Sequence, residues 1–495
     1  MGRVRGGKRV GGRVRIGAPD SSLTGVSGMV AVSELCERLG VIEALDAVVG
    51  SIKQRERGYS AGALLVGMAA AQLAGEDHLI GLDRQRADGA GQVLSPVVGL
   101  CSTTAAGLAR RITPARWAVV ERGVATVTRR MLARLSAPRR GALLCSVTID
   151  LDTTDVEVYG RHKRGVAYNY QGQRVGRPHV ASWAELGVTL AAQLGSGTDD
   201  PRPGAPGLLR RALASLPAGV RQIKMRADAG YFAVELAIAA HREGVGFAIG
   251  AKRLAPLWRT LAGVRETDWV QAIDMPGAQV AVADYRPAWW PPNTRVLIRR
   301  VRLDSEQVSA DPRSRRRRTL HPDQRTLPIE ELADTDAVYG YSFILTNLDL
   351  STPAHAADVE YWYRHRTEIE NIFRDAKHGA ALRHLPSGYT EVNTAWMWGA
   401  LLATSLAGYL HQLAATSPTP HPHPDPDSAP EPEPGPLVGL GVRNGKAMIA
   451  TLRHRLIRVP GRVTHHAGQL ILRLPPGDQL LPAVLTRLRT LPHPC

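Results

Sequence analysis

Cysteine is scarce in this chain of 495 residues: there are four, Cys36, Cys101, Cys145 and Cys495, far apart and without a C-x-x-C pair. That spacing gives neither a disulfide framework nor a zinc site, and it fits a reducing cytoplasm. A secretory leader is lacking too. The first residues are basic (Arg3, Arg5, Lys8, Arg9, Arg13, Arg15) but Gly-rich, and no apolar region follows, so residues 1–28 read as a flexible basic arm. The longest apolar run, Ala395 to Ala415, contains Thr404, Ser405, His411 and Gln412 and reads as a buried core helix, so no membrane partner is expected. No internal repeat is visible. Acids are in short supply: 45 Asp and Glu stand against 62 Lys and Arg, a net charge of +17 and a pI near 10.2. Such a field attracts polyanions, nucleic acid first among them, although codon bias toward arginine gives an ordinary enzyme the same surplus.

The rest of the composition is that of a folded protein, with 44% hydrophobic and 22% charged residues. The length exceeds what one core normally organises, so several domains are expected. Residues 29–140 have apolar positions at helical spacing, as in Val30-Leu35-Leu39 and Val124-Val127-Met131. The nine arginines between Arg110 and Arg140 make this helical segment the candidate DNA-binding domain, with a solvated basic face as the alternative. From Gly141 to residue 254 the order reads βββαβαβ, which resembles an RNase H-like α/β core. Residues 255–340 read as a β-rich insertion domain with strands at Val280–Val282 and Arg295–Leu303 and a loop holding Arg313 and Arg315 to Arg318. That arginine run either floats in solvent or meets phosphate. Residues 341–415 resume the core: a strand, a long helix opened by Thr352 as N-cap and Pro353 and reaching His378, and a second helix from Thr394. A Pro-rich linker at 416–436 and a small C-terminal segment at 437–495, with a strand at Gln469–Arg473, complete the chain.

Three acidic positions carry the chemistry. In Val147-Thr-Ile-Asp-Leu-Asp152 strict alternation puts Thr148, Asp150 and Asp152 on one strand face, about 6.6 Å separating the two acids. Two like charges there are costly unless a cation sits beside them or the strand is a solvated edge. Asp228 ends another strand, before Ala229-Gly230, where an Asp is also a common turn residue. On a helical wheel Tyr363, Arg366, Glu370 and Lys377 fall within a stripe about 60° wide. Ordinary surface helices scatter such charges or pair them at i, i+4.

The spacing Y-x2-R-x3-E-x6-K of Tyr363, Arg366, Glu370 and Lys377 resembles the signature of DDE transposases of bacterial insertion sequences. Asp150-Leu-Asp-Thr-Thr154, Gly160, Tyr168 and Arg226-Ala-Asp-Ala-Gly-Tyr-Phe232 resemble the same class, nearest to the insertion-sequence group numbered thirteen-eighty. The resemblance implies a catalytic, metal-binding triad of Asp152, Asp228 and Glu370, with Asp150 a rival for the first position. It implies that Tyr363, Arg366 and Lys377 hold DNA, and that two Mg²⁺ ions, replaceable by Mn²⁺, assist cleavage and strand transfer. The partners it implies are double-stranded DNA, at the element's terminal inverted repeats and at the target, and a second copy of the chain in a homodimer on DNA, at the nucleoid in the cytoplasm. A nuclease without strand transfer, or a non-catalytic DNA-binding derivative, are the alternatives. Trp289 and Trp290 are either a core pair or a platform for a base rotated out of the duplex during hairpin formation.

Overall fold

The computed structural model describes residues 16–53, 57–414, 437, 442–443 and 446–493. The basic positions up to Arg15, the whole Pro-rich linker at 416–436 and Cys495 lie outside them. One mixed sheet of 11 strands dominates the fold. Its strands are β1 (Ser146–Thr153), β2 (Val156–Glu157), β3 (Ala167–Tyr168), β4 (Arg174–Trp183), β5 (Val188–Ser196), β6 (Gln222–Ala227), β7 (Gly246–Gly250), β8 (Val270–Gln271), β9 (Ala278–Ala283), β10 (Arg295–Leu303) and β11 (Val338–Thr346). They lie in the order β2-β4-β1-β6-β7-β11-β10-β9-β8, with β3 and β5 also on β4.

In the centre β1, β6 and β7 run parallel, while β4 pairs antiparallel with β1. Parallel strands need crossover connections, which α5 (Pro201–Ser215) and α6 (Val234–Arg242) supply on either side of β6. Such strands are covered on both faces. On β1, Val147, Ile149 and Leu151 are fully buried, and so are Thr148 and Asp150 on the opposite face. The sequence places a strand from Leu143, but Leu143 to Cys145 end a helix, and β1 starts at Ser146.

The strands between residues 255 and 340 build no sheet of their own. They extend the central sheet antiparallel through β11, in continuous register from Arg295↔Thr346 to Leu303↔Val338. The arginine run is a short helix, Arg315–Thr319, with Arg317 buried and its neighbours exposed.

The helices of residues 29–140 include α1 (Met29–Leu39), α2 (Val41–Val49), α3 (Ala61–Ala74) and α4 (Val120–Leu132). Two more matter for the site, α7 (Pro353–Arg364) and α8 (Thr367–Arg374), and α9 (Thr390–Ala414) follows them. α9 is apolar on nearly every side and buried along most of its length, because α3 packs on one flank and β5 on another. Gln72 Nε2 donates to the Trp396 carbonyl at 3.1 Å, and the Thr128 and Tyr409 hydroxyls meet at 2.7 Å. The N-terminal helices and the sheet therefore share one hydrophobic core. Among the described residues no helix is long and apolar enough to cross a membrane.

Several of the nine arginines between Arg110 and Arg140 serve this packing. Arg130 donates to the carbonyls of Leu39 and Gly40, and Arg134 to those of Arg38 and Pro492. Arg139 holds the Gln412 carbonyl and side chain, and Arg116 the Ser51 carbonyl. Those of Arg130, Arg134 and Arg139 satisfy carbonyls at the ends of α1 and α9, and Arg116 ties down the segment after α2. The pattern that reads as a basic DNA-facing stripe is in good part an internal capping system.

Candidate active site

The parallel pairing of β1 and β6 sets Asp150 opposite Arg226 and Leu151 opposite Ala227, so Asp152 and Asp228 follow at adjacent strand ends. Neighbouring strands are about 4.8 Å apart. Carboxyl ends of parallel strands are where open α/β sheets place ligands. Asp228 also caps the short helical turn behind it, accepting from the Gly230 amide at 2.8 Å.

Asp150 does not share a cation with Asp152. Its carboxylate is fully buried and takes two parallel bonds from Arg226, 2.6 Å from Nε and 2.8 Å from Nη2. The face that carries Thr148 and Asp150 is no solvated edge, because α7 closes it: Trp362 Nε1 donates to Thr148 Oγ1 at 3.0 Å, and Arg226 also donates to the Trp362 carbonyl. α7 is anchored by buried Glu360, which accepts from Arg299 of β10 at 2.8 Å and from Arg364 at 3.2 Å.

Asp152 lies in a different setting. Its pKa is pushed up to about 6, first by burial; Arg366 opposes the rise and neighbouring Asp228 adds to it. Arg366 Nη1 reaches Asp152 Oδ2 at 2.8 Å, and Nη2 lies 3.7 Å from Glu370 Oε1. Burial works against the Arg366 charge, but Asp152 and then Tyr363 and Asp228 outweigh it and leave the guanidinium pKa raised. Glu370 is 61% exposed in its side chain.

The long helix expected from Thr352 to His378 starts as anticipated, with Thr352 accepting from the His355 amide at 3.1 Å. It then breaks. α7 stops at Arg364, α8 begins at Thr367, and Asp375–Gly379 form a π-turn. The His365 amide still donates to the Tyr361 carbonyl at 3.3 Å, but the Arg366 amide turns to the Tyr363 carbonyl at 3.0 Å, which tightens the last turn. Despite the break, three signature residues reach the strand ends: Tyr363 donates to the Ala227 carbonyl at 3.1 Å, Arg366 to Asp152, and Lys377 to the Asp155 carbonyl at 2.8 Å. Tyr363 approaches closely because residue 250 is glycine; a Cβ there would stand 2.6 Å from its hydroxyl oxygen.

Among the described residues no group of three or more His, Cys, Asp or Glu converges closely enough to hold a metal. Arg366 stands between Asp152 and Glu370 instead. The donor set nonetheless suits a hard, oxygen-preferring cation. Two carboxylates end adjacent strands, and the buried hydroxyl of Tyr231, which both acids influence, has no hydrogen-bond partner.

Asp155 and Arg177 join the site without standing out in the sequence, and Tyr231, inside the block from Arg226 to Phe232, is given no role of its own there. Asp155 accepts from Arg177 Nε at 2.6 Å and from Asn169 Nδ2 at 2.9 Å, so it ties the end of β1 to the next hairpin and to Lys377. Its signal was present, since Asp155 closes the run Asp150-Leu-Asp-Thr-Thr. The paired tryptophans part company. Trp290 is buried and stacks on Phe232 at 5.3 Å, whereas Trp289 is 80% exposed.

A family model described as transposase DDE domain group 1 matches residues 9–311. That stretch contains Asp150, Asp152 and Asp228, while Tyr363, Arg366, Glu370 and Lys377 lie beyond it. No curated protein matches the chain. Among solved structures, a cryo-EM structure of piggyBac transposase in a synaptic complex with hairpin DNA is similar at 9% identity and a TM-score of 0.40, covering 77% of this chain and 75% of that one.

Proposed function

Because the chain belongs to the transposase DDE domain group 1 family, we propose that it moves a bacterial insertion sequence by binding the terminal inverted repeats, cutting the DNA and joining the ends to a target. In this reading Asp152, Asp228 and Glu370 are the catalytic carboxylates. The sheet from β1 to β7 is an RNase H-like core, supported by the lateral order β5-β4-β1-β6-β7 with two antiparallel and two parallel pairings. The Y-R-E-K branch near group thirteen-eighty is the finer assignment, and a homodimer on DNA, working at the nucleoid, is the assembly that brings two ends together. One observation carries the proposal: Asp152 and Asp228 end adjacent parallel strands, and Arg366 links Asp152 to Glu370.

Bound among these acids, Mg²⁺, or Mn²⁺ in its place, would activate a water or a DNA 3′-hydroxyl and stabilise the leaving oxygen. The chain's own residues prepare for this. Asp152 presents a carboxylate whose charge burial and neighbouring Asp228 disfavour, and Asp228 ends the adjacent strand. Arg366 neutralises Asp152 in the DNA-free protein, and its planar fork suits a phosphate once DNA arrives. Tyr363 and Lys377, held by main-chain carbonyls, fix the strand ends against the signature helix. Asp150, sealed by Arg226, sets the charge balance of the core, so Asp152 takes the first catalytic position.

The test is a strand-transfer assay with full-length protein, Mg²⁺ and DNA bearing the element's own precut ends. Joined product is expected. Hydrolysis without joining would replace the proposal by a nuclease of the same family, and binding without cleavage by a DNA-binding derivative.

A further inference from the structure

Between β2 and β4 the chain runs Tyr159-Gly-Arg-His-Lys-Arg-Gly-Val-Ala-Tyr-Asn-Tyr170, and its three tyrosines are turned outward: Tyr159 is 85% exposed, Tyr168 67% and Tyr170 89%. Large exposed aromatics grouped on one short segment are uncommon on a surface that binds nothing. The alternation is exact, because Asn169 between two of them is buried. Its side chain donates to Asp155 Oδ2 at 2.9 Å and accepts from the Gln171 and Gln173 amides at 3.0 and 2.9 Å, which fixes the turn. Tyr168 pairs with Arg174, whose guanidinium holds the carbonyls of Gly160 at 2.6 Å and Lys163 at 2.9 Å. The tip is therefore a braced structure.

The same bracing sets its position. Asp155 lies three residues beyond Asp152, and Lys377 of the signature grips its carbonyl. Through Asn169 and Asp155 the turn that carries Tyr168 and Tyr170 is tied to the segment that follows Asp152. Their surroundings are basic: Arg161, His162 and Arg164 are exposed on the same loop, and Glu157 is the single acid bonded to a tyrosine of the group, accepting from Tyr159 at 3.1 Å.

We infer that this hairpin is a stacking platform for unpaired nucleobases of the DNA strand beside the scissile phosphate. Aromatic faces accept any base, and the adjoining cations follow the backbone. A tyrosine offers a rigid ring at small entropic cost. A duplex keeps its bases stacked internally, so the platform favours frayed or single-stranded DNA next to the cut. The identity of that strand rests on the transposase reading; the preference for unpaired bases does not.

The test uses full-length protein and two fluorescent probes of arbitrary sequence, a blunt duplex and the same duplex with a five-nucleotide single-stranded overhang. Wild type is expected to bind the overhang DNA about tenfold more tightly, the order that one or two stacked bases supply. The double variant Tyr168→Ser, Tyr170→Ser should lose that preference while binding blunt duplex within about twofold of wild type, since both side chains are exposed. Tyr168→Phe, Tyr170→Phe keeps the rings and should keep the preference. A Ser variant that still prefers the overhang overturns the inference, as does one that changes only the oligomeric state in sedimentation. Absence of strand transfer alongside an intact, tyrosine-dependent overhang preference would refute the transposase reading and leave the platform standing.

Discussion

Asp150 and Asp152 stand two residues apart on one strand, and each faces an arginine, yet the two pairs are built for different ends. The middle of β1 is closed. Asp150 and Arg226 are in register across two parallel strands, with 0% and 3% of their side chains exposed. The end of β1 is open to change. Arg366 comes from the junction of two helices, touches Asp152 through one nitrogen and reaches toward an exposed Glu370. A buried ion pair whose partners both sit on rigid strands has nothing to exchange with. A pair between a strand end and a helix junction can trade its cation for another, which is what a site for phosphate and metal requires.

Breaking the closed pair should have the largest effect on folding. Arg226→Ala leaves Asp150 buried without its bidentate partner and is expected to lower stability by about 3–5 kcal/mol, read as a shifted midpoint in urea unfolding. A loss below about 1 kcal/mol would erase the contrast between the two ends of β1.

The open end should announce itself through pH. The folded-state pKa of Asp152 is about 6, above the ordinary carboxylate value of 3.8. Between those values the folded protein binds more protons than the unfolded one, so this contribution is complete below about pH 4 and is lost as pH rises through about 6. In metal-free buffer, wild type should therefore lose about 2–3 kcal/mol relative to Asp152→Asn across that window. Parallel stability curves for the two proteins would mean that Asp152 is as well compensated as its neighbour.

Much of this architecture was legible from residue order. The βββαβαβ succession, Thr352 and Pro353 opening a helix, and the strands at 280–282 and 295–303 follow from alternation, capping and β-branched runs, which are local signals. What escaped was what depends on partners distant in sequence. Arg226 pairs with a residue 76 positions earlier, so the sequence shows two repelling acids where the fold has one acid and one neutral pair. Nothing local announces that Arg130 and Arg134 cap helices rather than face solvent. The helical wheel over Tyr363 to Lys377 assumed an unbroken helix, whereas the chain turns at His365 and Arg366 between α7 and α8. The stripe converges anyway, because its targets are the fixed ends of two strands.

The central claim is that Glu370 works with Asp152 and Asp228 on the DNA, although Arg366 stands between them in the DNA-free protein. Glu370→Gln keeps the shape of the side chain and removes its charge. In Mg²⁺, with the element's end DNA, the variant should bind as wild type does in a gel-shift assay while nicking and joining fall by at least about a hundredfold, the scale of losing a group that stabilises the transition state. Cleavage at the wild-type rate would contradict the triad and with it the catalytic reading.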